Sequence, residues 1–426
     1  MKQLSSCSRE ELLALKAEYS QAYADFQARE LKLDMSRGKP APEQLDLTMP
    51  MLDALTSRDC LTDATGLDCR NYGVLDGISE VKTLLAPMLG VSEEDLVICG
   101  NSSLNIMYDT MTNAFTHGVL GGTPWSKLDK VKFLCPVPGY DRHFAICEHY
   151  GIEMINIPLT ESGPDMDLVE RLVAEDDSIK GIWCVPQYSN PDGFSYSDET
   201  VRRFASLKTK AKDFRIFWDN AYGIHHLTDE EVRVPNILDE AKKVGNEDIV
   251  YMFASTSKIS FPGSGVAMIA ASQANLDSLK KTMAVRTIGY DKINMLRHVR
   301  FFKNFDGLKK HMELHKAIIA PKFNAVLDLL AQELTPLGIG SWTAPKGGYF
   351  ISFNTPDGCA KRVVTLCQEA GVVLTGAGAT FPNGIDPDDR NIRIAPTYPS
   401  VEELKTAVSL FCLCVKLAAV EKLLEN

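Results

Sequence analysis

The 426-residue sequence predicts an α/β fold, with a three-layer αβα major domain built on a mainly parallel sheet and a smaller α+β domain. Three observations lead there. Apolar runs of strand length alternate with helix-spaced patterns from about Asp76 to Ala270, the rhythm of strands joined by helical crossovers. After about Leu337 that rhythm stops, and short strands and helices follow in mixed order. Gly100, Pro138, Asn190, Asp219 and Ser255 each stand just past an apolar run, where sheets of this kind form their ligand crevice. The length exceeds what one small core needs. The expected division is a helix and arm over 1–50 that pack with the small domain, a large domain over 51–320, and the small domain over 321–426.

Taken in order, Ser8 to Leu31 carries Leu12, Leu15, Tyr19, Tyr23 and Phe26 at helical spacing, which predicts an amphipathic helix. The stretch "LDMSRGKPAPEQLDL" holds Gly38, Pro40 and Pro42 and is costly to order unless it packs on something. It therefore reads as an arm lying across another domain or another subunit. Arg37 and Lys39 make it locally basic, and for these two a solvated turn and a ligand loop are equally good readings.

A helix is expected over Ser79–Leu89 and a strand over Leu96–Cys99. Gly100, Asn101, Ser102 and Ser103 then open a helix running to about Phe115. A strand that feeds small residues into a helix N-terminus offers amide N–H groups without intrahelical partners, and so suits an anion. Further strands are expected over Val131–Cys135, Glu153–Ile157, Ile179–Val185, Phe214–Asp219, Ile249–Phe253 and Val266–Ala270. Helices are expected over Asp165–Val173 and Ser197–Lys212, and a helical pattern over Asp306–Leu337. The remainder reads as strand "KGGYFISF", helix Gly358–Glu369, strand and turn "GVVLTGAGATF", strand "NIRIAP" and helix Val401–Leu424.

Composition narrows the function classes. A formal net charge of -11 repels nucleic acid and acidic membrane surfaces, although a small anion held by local donors remains allowed. No run of about eighteen apolar residues predicts a membrane span, and the N-terminus lacks the apolar stretch of a signal peptide. The eleven cysteines show no metal-ligand spacing, so no metal is expected and a reducing cytoplasm is.

The informative stretch is "NEDIVYMFASTSKISFPGSGVAMIAAS", Asn246 to Ser272. Lys258 lies between two apolar strands among Ser255, Thr256, Ser257, Ser260, Gly263 and Gly265. Alone, this setting suits a bound phosphate or a plain solvated connection equally well. The rest of the chain separates the two. Asp219 ends the buried run "FRIFW" and needs a cationic or hydrogen-bonding partner there. Tyr222 follows three residues on, Asn190 offers an amide in "SNPDG", and Tyr140 offers an aromatic face. An acid, a phenol, an amide, an aromatic face, a lysine and two anion turns are the set that pyridoxal phosphate requires. The lysine condenses with its aldehyde, and the acid keeps its pyridine nitrogen protonated.

With these residues in view, the chain resembles the fold-type I pyridoxal-phosphate-dependent aminotransferases. It is most similar to a divergent aspartate aminotransferase subgroup akin to the aminotransferase domains of MocR-like proteins. The resemblance runs from "SRGKP" at Ser36 to "NIRIAP" at Asn391. It implies that Lys258 binds the cofactor covalently, that Asp219 meets its pyridine nitrogen, and that Asn190 and Tyr222 meet its phenolic oxygen. It also implies Tyr140 stacked on the ring, and Ser102, Ser103, Ser255 and Ser257 on the phosphate. Tyr72 would reach the phosphate of a partner subunit, which makes the expected assembly a homodimer with composite sites. Arg393 would clamp the substrate α-carboxylate and Gly38 would line the substrate site. One departure stands out: relatives carry an arginine a few residues after the lysine, where this chain reads "KISFPGSGVA".

The expected activity is transamination of aspartate with 2-oxoglutarate. A β-eliminating lyase or a transaminase for other amino acids would use the same cofactor apparatus. The discriminator is a second cation for the substrate side chain, with Arg37, Lys39 and Arg142 as candidates. A non-catalytic effector-sensing domain is the third reading. It is disfavoured because the thirty or so residues before "SRGKP", with Glu10, Glu11 and Glu18, are too few and too acidic for a DNA-binding module.

Overall fold

A computed structural model describes residues 3–425. Its centre is an eight-stranded sheet in the order Leu96–Ile98, Ala267–Ala271, Val250–Ser255, Arg215–Asp219, Ile179–Cys184, Lys132–Val137, Glu153–Thr160 and Gly163–Pro164. Neighbours are parallel except at Ala267–Ala271, which runs against both of its neighbours, and at the short edge strand Gly163–Pro164. Strand residues alternate between two apolar cores, as a two-residue period requires. Ile216, Trp218, Val250 and Met252 face one core, while Phe217, Tyr251 and Phe253 face the other. Burial on both faces explains why these strands read as continuous apolar runs.

The predicted pattern holds, with four adjustments, the first being that "KGGYFISF" is strand only from Ile351, because Lys346 to Phe350 turn past Tyr188 and pair only by an isolated bridge between Gly347 and His226. The helix expected over Ser197–Lys212 stops at Ala205, because the Asn246 side chain donates to the carbonyls of Ala205 and Leu207 and ends the helix from a distant loop. The polar-apolar stretch from Leu276 to Phe305 resolves into the helices Gln273–Arg286 and Lys292–Phe302. In "GVVLTGAGATF" only Val372–Val373 is strand, and its parallel partner is Leu33–Asp34 of the arm.

A third apolar cluster joins the N-terminal helix Arg9–Gln27 to the C-terminal third of the chain, including the terminal helix Val401–Glu425 and the antiparallel strands Ile351–Asn354 and Asn391–Ile394. The N-terminal helix starts on a reciprocal cap between Ser8 and Glu11, and its Tyr23 hydroxyl donates to the Leu366 carbonyl at 2.8 Å. The 30-residue helix Phe305–Leu334 links the cores: Leu308 and Met312 belong to the sheet, and Ile319 and Phe323 belong to the C-terminal cluster. No helix among the described residues is long and apolar enough to cross a membrane.

Candidate active site

Five strands of the sheet end at one cavity of about 250 Å³. Its walls carry Ser102, Ser103, Tyr140, Asn190, Asp219, Tyr222, Ser255, Ser257 and Lys258, with Leu104, Met107, Val185, Ala221 and Pro262 between them. Residues 102 through 258 of the chain thus meet in one place because parallel strands deliver their C-terminal ends to the same edge. The register sets Asp219 opposite Phe253, so Ser255 falls just past the edge and the lysine loop follows. That loop is a tight turn, with the Ile259 and Ser260 amides donating to the Thr256 carbonyl at 2.9 and 2.8 Å. Gly265 lets it lie against the Asn101 turn, since a Cβ there would approach the Asn101 carbonyl oxygen to 2.9 Å. The Ser257 hydroxyl donates to the same carbonyl at 3.3 Å, which joins the two serine turns.

Each group is chemically poised. Burial lowers the pKa of the Lys258 amine, with the Asp219 carboxylate pulling in the opposite direction, and its Nζ lies 4.8 Å from the centre of the Tyr222 ring. Burial raises the Tyr222 phenol well above its ordinary value and pushes Tyr140 up to about 12, so both remain protonated donors. Asp219 is 2 % exposed; its Oδ2 lies 3.0 Å from His143 Nε2, and its Oδ1 is buried with no partner. Ser102 and Ser103 open the 15-residue helix Ser103–His117, whose first turn has no side-chain cap.

These observations test the fit of pyridoxal phosphate. An orphaned buried carboxylate oxygen calls for a cationic N–H such as a protonated pyridine. An uncapped helix start beside four serine hydroxyls calls for a phosphate. An amine of lowered pKa suits condensation with an aldehyde. The donor set fits the cofactor at each of its functional ends. Among the described residues Lys258 is the only cation lining the cavity, so the missing arginine after the lysine has no substitute in its walls. No group of three or more potential metal ligands occurs among the described residues.

The remaining predicted residues stand outside the cavity walls. Arg393 lies just beyond Asn190: its Nη1 donates to Asn190 Oδ1 at 3.2 Å and to Asp141 Oδ1 at 2.9 Å, while its Nε is buried with no partner. Its guanidinium sits 4.8 Å from the Phe350 ring centre. Gly38 lies on the same ring, where a Cβ would come within 2.4 Å, so a larger residue there would have to displace the Phe350 ring. Tyr72 is 78 % exposed. Arg37 and Arg142 are exposed, and the Lys39 amine rests 3.8 Å from the Tyr398 ring centre.

His143, Asp141 and Phe350 were missed by sequence reasoning. His143 is 2 % exposed, stacks on Trp183 at 4.5 Å and 9°, and meets the Tyr140 ring edge-on at 4.9 Å. The one available signal was its position three residues after Tyr140 at a helix start, which brings both to one face.

Comparison with known proteins follows the same lines. The family described as aspartate amino-transferase matches residues 7–426. An aspartate aminotransferase of Corynebacterium glutamicum is 44% identical over 400 residues, covering 94% of this chain and 92% of that protein. A Mycolicibacterium smegmatis protein named as an aminotransferase is 48% identical over 421 residues, 98% of each chain. The crystal structure of an aspartate transaminase from Corynebacterium glutamicum superposes with a TM-score of 0.96 at 42% identity, covering 99% of both chains.

Proposed function

The chain belongs to the aspartate aminotransferase family, a pyridoxal-phosphate-dependent group of fold type I, and within it we propose aspartate as amino donor and 2-oxoglutarate as acceptor. The observation that carries the chemistry is the meeting of Lys258, the orphaned Asp219 oxygen and four serines in one cavity. Pyridoxal phosphate, when bound, supplies an aldehyde that takes up the amino group and a ring that withdraws electrons from the substrate Cα. The chain supplies the rest. Burial favours the neutral form of Lys258, the form that takes the proton from Cα and returns it as a general acid. Asp219, oriented by His143, holds a proton on the pyridine nitrogen. Tyr222 and Asn190 serve the phenolic oxygen, Tyr140 covers the ring, and Ser102, Ser103, Ser255 and Ser257 hold the phosphate with the helix N-terminus.

Arg393 holds the substrate α-carboxylate, and its buried unpartnered Nε supports that role, because a guanidinium fork offers two parallel N–H groups to a carboxylate. Gly38 and Phe350 wall this end. A second carboxylate needs a second cation. The candidates are Lys39, which rests on the Tyr398 ring, and Arg37 and Arg142, neither of which has an ion pair among the described residues. The test is kcat/KM for aspartate, glutamate, alanine, phenylalanine and cysteine with a 2-oxo acid acceptor. Aspartate and glutamate should lead. Equal use of the neutral donors, or pyruvate and ammonia from cysteine, would replace the substrate assignment and leave the cofactor site intact.

The same reading makes the working unit a cytoplasmic homodimer in which Tyr72 completes the partner's phosphate site. Its exposure supports this, as do Val285 and Ile288, 90 % and 63 % exposed on a segment whose Lys292 amine donates to the Gly73 carbonyl at 2.9 Å. Mixing Lys258→Ala and Tyr72→Phe proteins should restore activity in heterodimers, and a fully active monomer by sedimentation would refute it. The boundaries at 50 and 320 are proposed on similar grounds, since the apolar clusters hand over along the long helix between Met312 and Ile319.

A further inference from the structure

Behind the lysine loop lies a buried polar chain that the chemistry above does not use. The long helix presents His311 and His315, one turn apart, to the back of the loop; they are 7 % and 1 % exposed. His311 Nε2 is 3.0 Å from the Ile259 carbonyl oxygen and 3.0 Å from His315 Nε2. Facing them, the arm presents Gln44 and Thr48, both fully buried. The orientation of Gln44 is determined: its Oε1 accepts the Ala41 N–H at 3.0 Å, so its Nε2 donates to His315 Nδ1 at 3.0 Å and to the Tyr349 hydroxyl at 3.1 Å. His315 Nδ1 is therefore an acceptor, and its proton sits on Nε2 and points at His311. Thr48 Oγ1 lies 3.3 Å from His311 Nε2 and 3.5 Å from the Ile259 oxygen, and the Tyr349 hydroxyl lies 3.5 Å from the Lys258 carbonyl oxygen. Three side chains, His311, Thr48 and Tyr349, lie against the carbonyls of two consecutive residues, one of them Lys258, with Gln44 and His315 behind them.

The other half of the arm is fastened to the C-terminal lobe. Leu33–Asp34 pairs with Val372–Val373, the Thr397 hydroxyl donates to the Lys39 carbonyl at 3.0 Å, and the buried Lys322 amine meets Glu43 at 2.7 Å. The arm thus spans from the lobe that carries Arg393 to the peptide that carries Lys258. With the His315 proton aimed at His311 Nε2, that nitrogen accepts and cannot donate to the Ile259 oxygen, so the donor path to the loop runs from Gln44 Nε2 through the Tyr349 hydroxyl to the Lys258 carbonyl, with Thr48 Oγ1 as the donor for Ile259; breaking a link leaves the next group unpaired in a low dielectric. Burial also keeps the chain uncharged, pushing His315 down to about 3.

We propose that Gln44 and Thr48 are positioning residues for Lys258, Gln44 acting through Tyr349 on the Lys258 carbonyl and Thr48 on the Ile259 carbonyl, so that seating of the arm and placement of the lysine amine are coupled. This rests on Lys258 being the cofactor lysine. Coupling of two sites is reciprocal, which gives the test two independent readouts.

In the Gln44→Leu holoenzyme, kcat should fall about tenfold with KM for aspartate within about threefold, the pattern of a displaced catalytic group with intact substrate contacts. The pH midpoint of the visible band of bound pyridoxal phosphate should move by about 0.5 unit or more, since the lysine nitrogen has changed its surroundings. Trypsin cleavage after the exposed Arg37, read by mass spectrometry, should be about threefold slower with cofactor than without it in the wild type, and equally fast in Gln44→Leu. If Gln44→Leu does not fold, the near-isosteric Thr48→Val carries the same test with a smaller shift of the same sign. An unmoved band midpoint, or cofactor protection of Arg37 retained in the variant, overturns the proposal. Lys258→Ala separates the two layers. If it keeps the wild-type band, the lysine assignment fails; if it loses the band while Gln44→Leu keeps the midpoint, only the coupling fails.

Discussion

At the Asp219 end of the cavity every contact is made within the sheet lobe, whereas at the Arg393 end the contacts cross from one lobe to the other. Asp219 closes a fully buried strand, and its partner His143 is clamped between Trp183 and Tyr140 from the neighbouring strand and helix. Arg393 comes from the strand Asn391–Ile394 of the C-terminal lobe and reaches Asn190 and Asp141 on the sheet side. The first end is preorganised by packing; the second has a geometry that depends on how the lobes sit. On the proposed reading the two ends have separate duties, the Asp219 end serving the electronics of the cofactor ring and the Arg393 end the substrate.

Substitutions can break or sharpen this contrast. The largest effect is expected from Lys258→Ala, which removes both the covalent anchor and the proton carrier and should lower kcat by about 10,000-fold, measured by single turnover with aspartate. Asp219→Ala should follow, with kcat down about 100- to 1000-fold while cofactor still binds by its phosphate contacts. Near-normal turnover by Asp219→Asn would remove the ring-side half of the contrast. Arg393→Ala should cost about 1.5–3 kcal/mol of transition-state binding, or roughly 10- to 100-fold in kcat/KM, for every donor alike. A loss confined to the acidic donors would instead place Arg393 on the distal carboxylate.

The last effect leaves turnover aside: it concerns the histidines behind the lysine loop and is read as stability. Burial lowers His315 to about 3, His298 to about 4 and His225 well below the ordinary histidine value. Unfolded, each would titrate near 6.5. Between pH 6.5 and 4 the unfolded chain therefore binds more protons than the folded one, and stability falls as pH falls. Each of these rings should contribute about 1.4 kcal/mol per pH unit in that window. Urea denaturation at pH 7 and pH 5 measures it, and a His315→Gln protein should show a shallower decline.

Much of this was legible in the chain. Strand runs buried on both faces leave continuous apolar stretches, and polar residues at their ends betray themselves because a buried polar group without a purpose is costly. That is why Asp219, Lys258, Asn190 and the serine turns stand out in the sequence, and why their order along the chain points to one cofactor. Helix ends were less legible where distant groups set them, as Asn246 does for the helix ending at Ala205.

The sequence by itself determined the inventory: which side chains carry charge, hydroxyls and an aromatic face, and which strand ends present them. Only the tertiary structure decided the partners. His143 and Asp219 are 76 residues apart and Gln44 and His315 are 271 apart, so no local pattern announces either pair. The same holds for the cations, since Arg393 is brought beside Asn190 while Arg37 and Arg142 are left in solvent. The physical reason is common to all of them. A side chain's chemistry is intrinsic to its residue, but its pKa, its hydrogen-bond role and the surface it shares depend on what strand register and lobe packing bring against it.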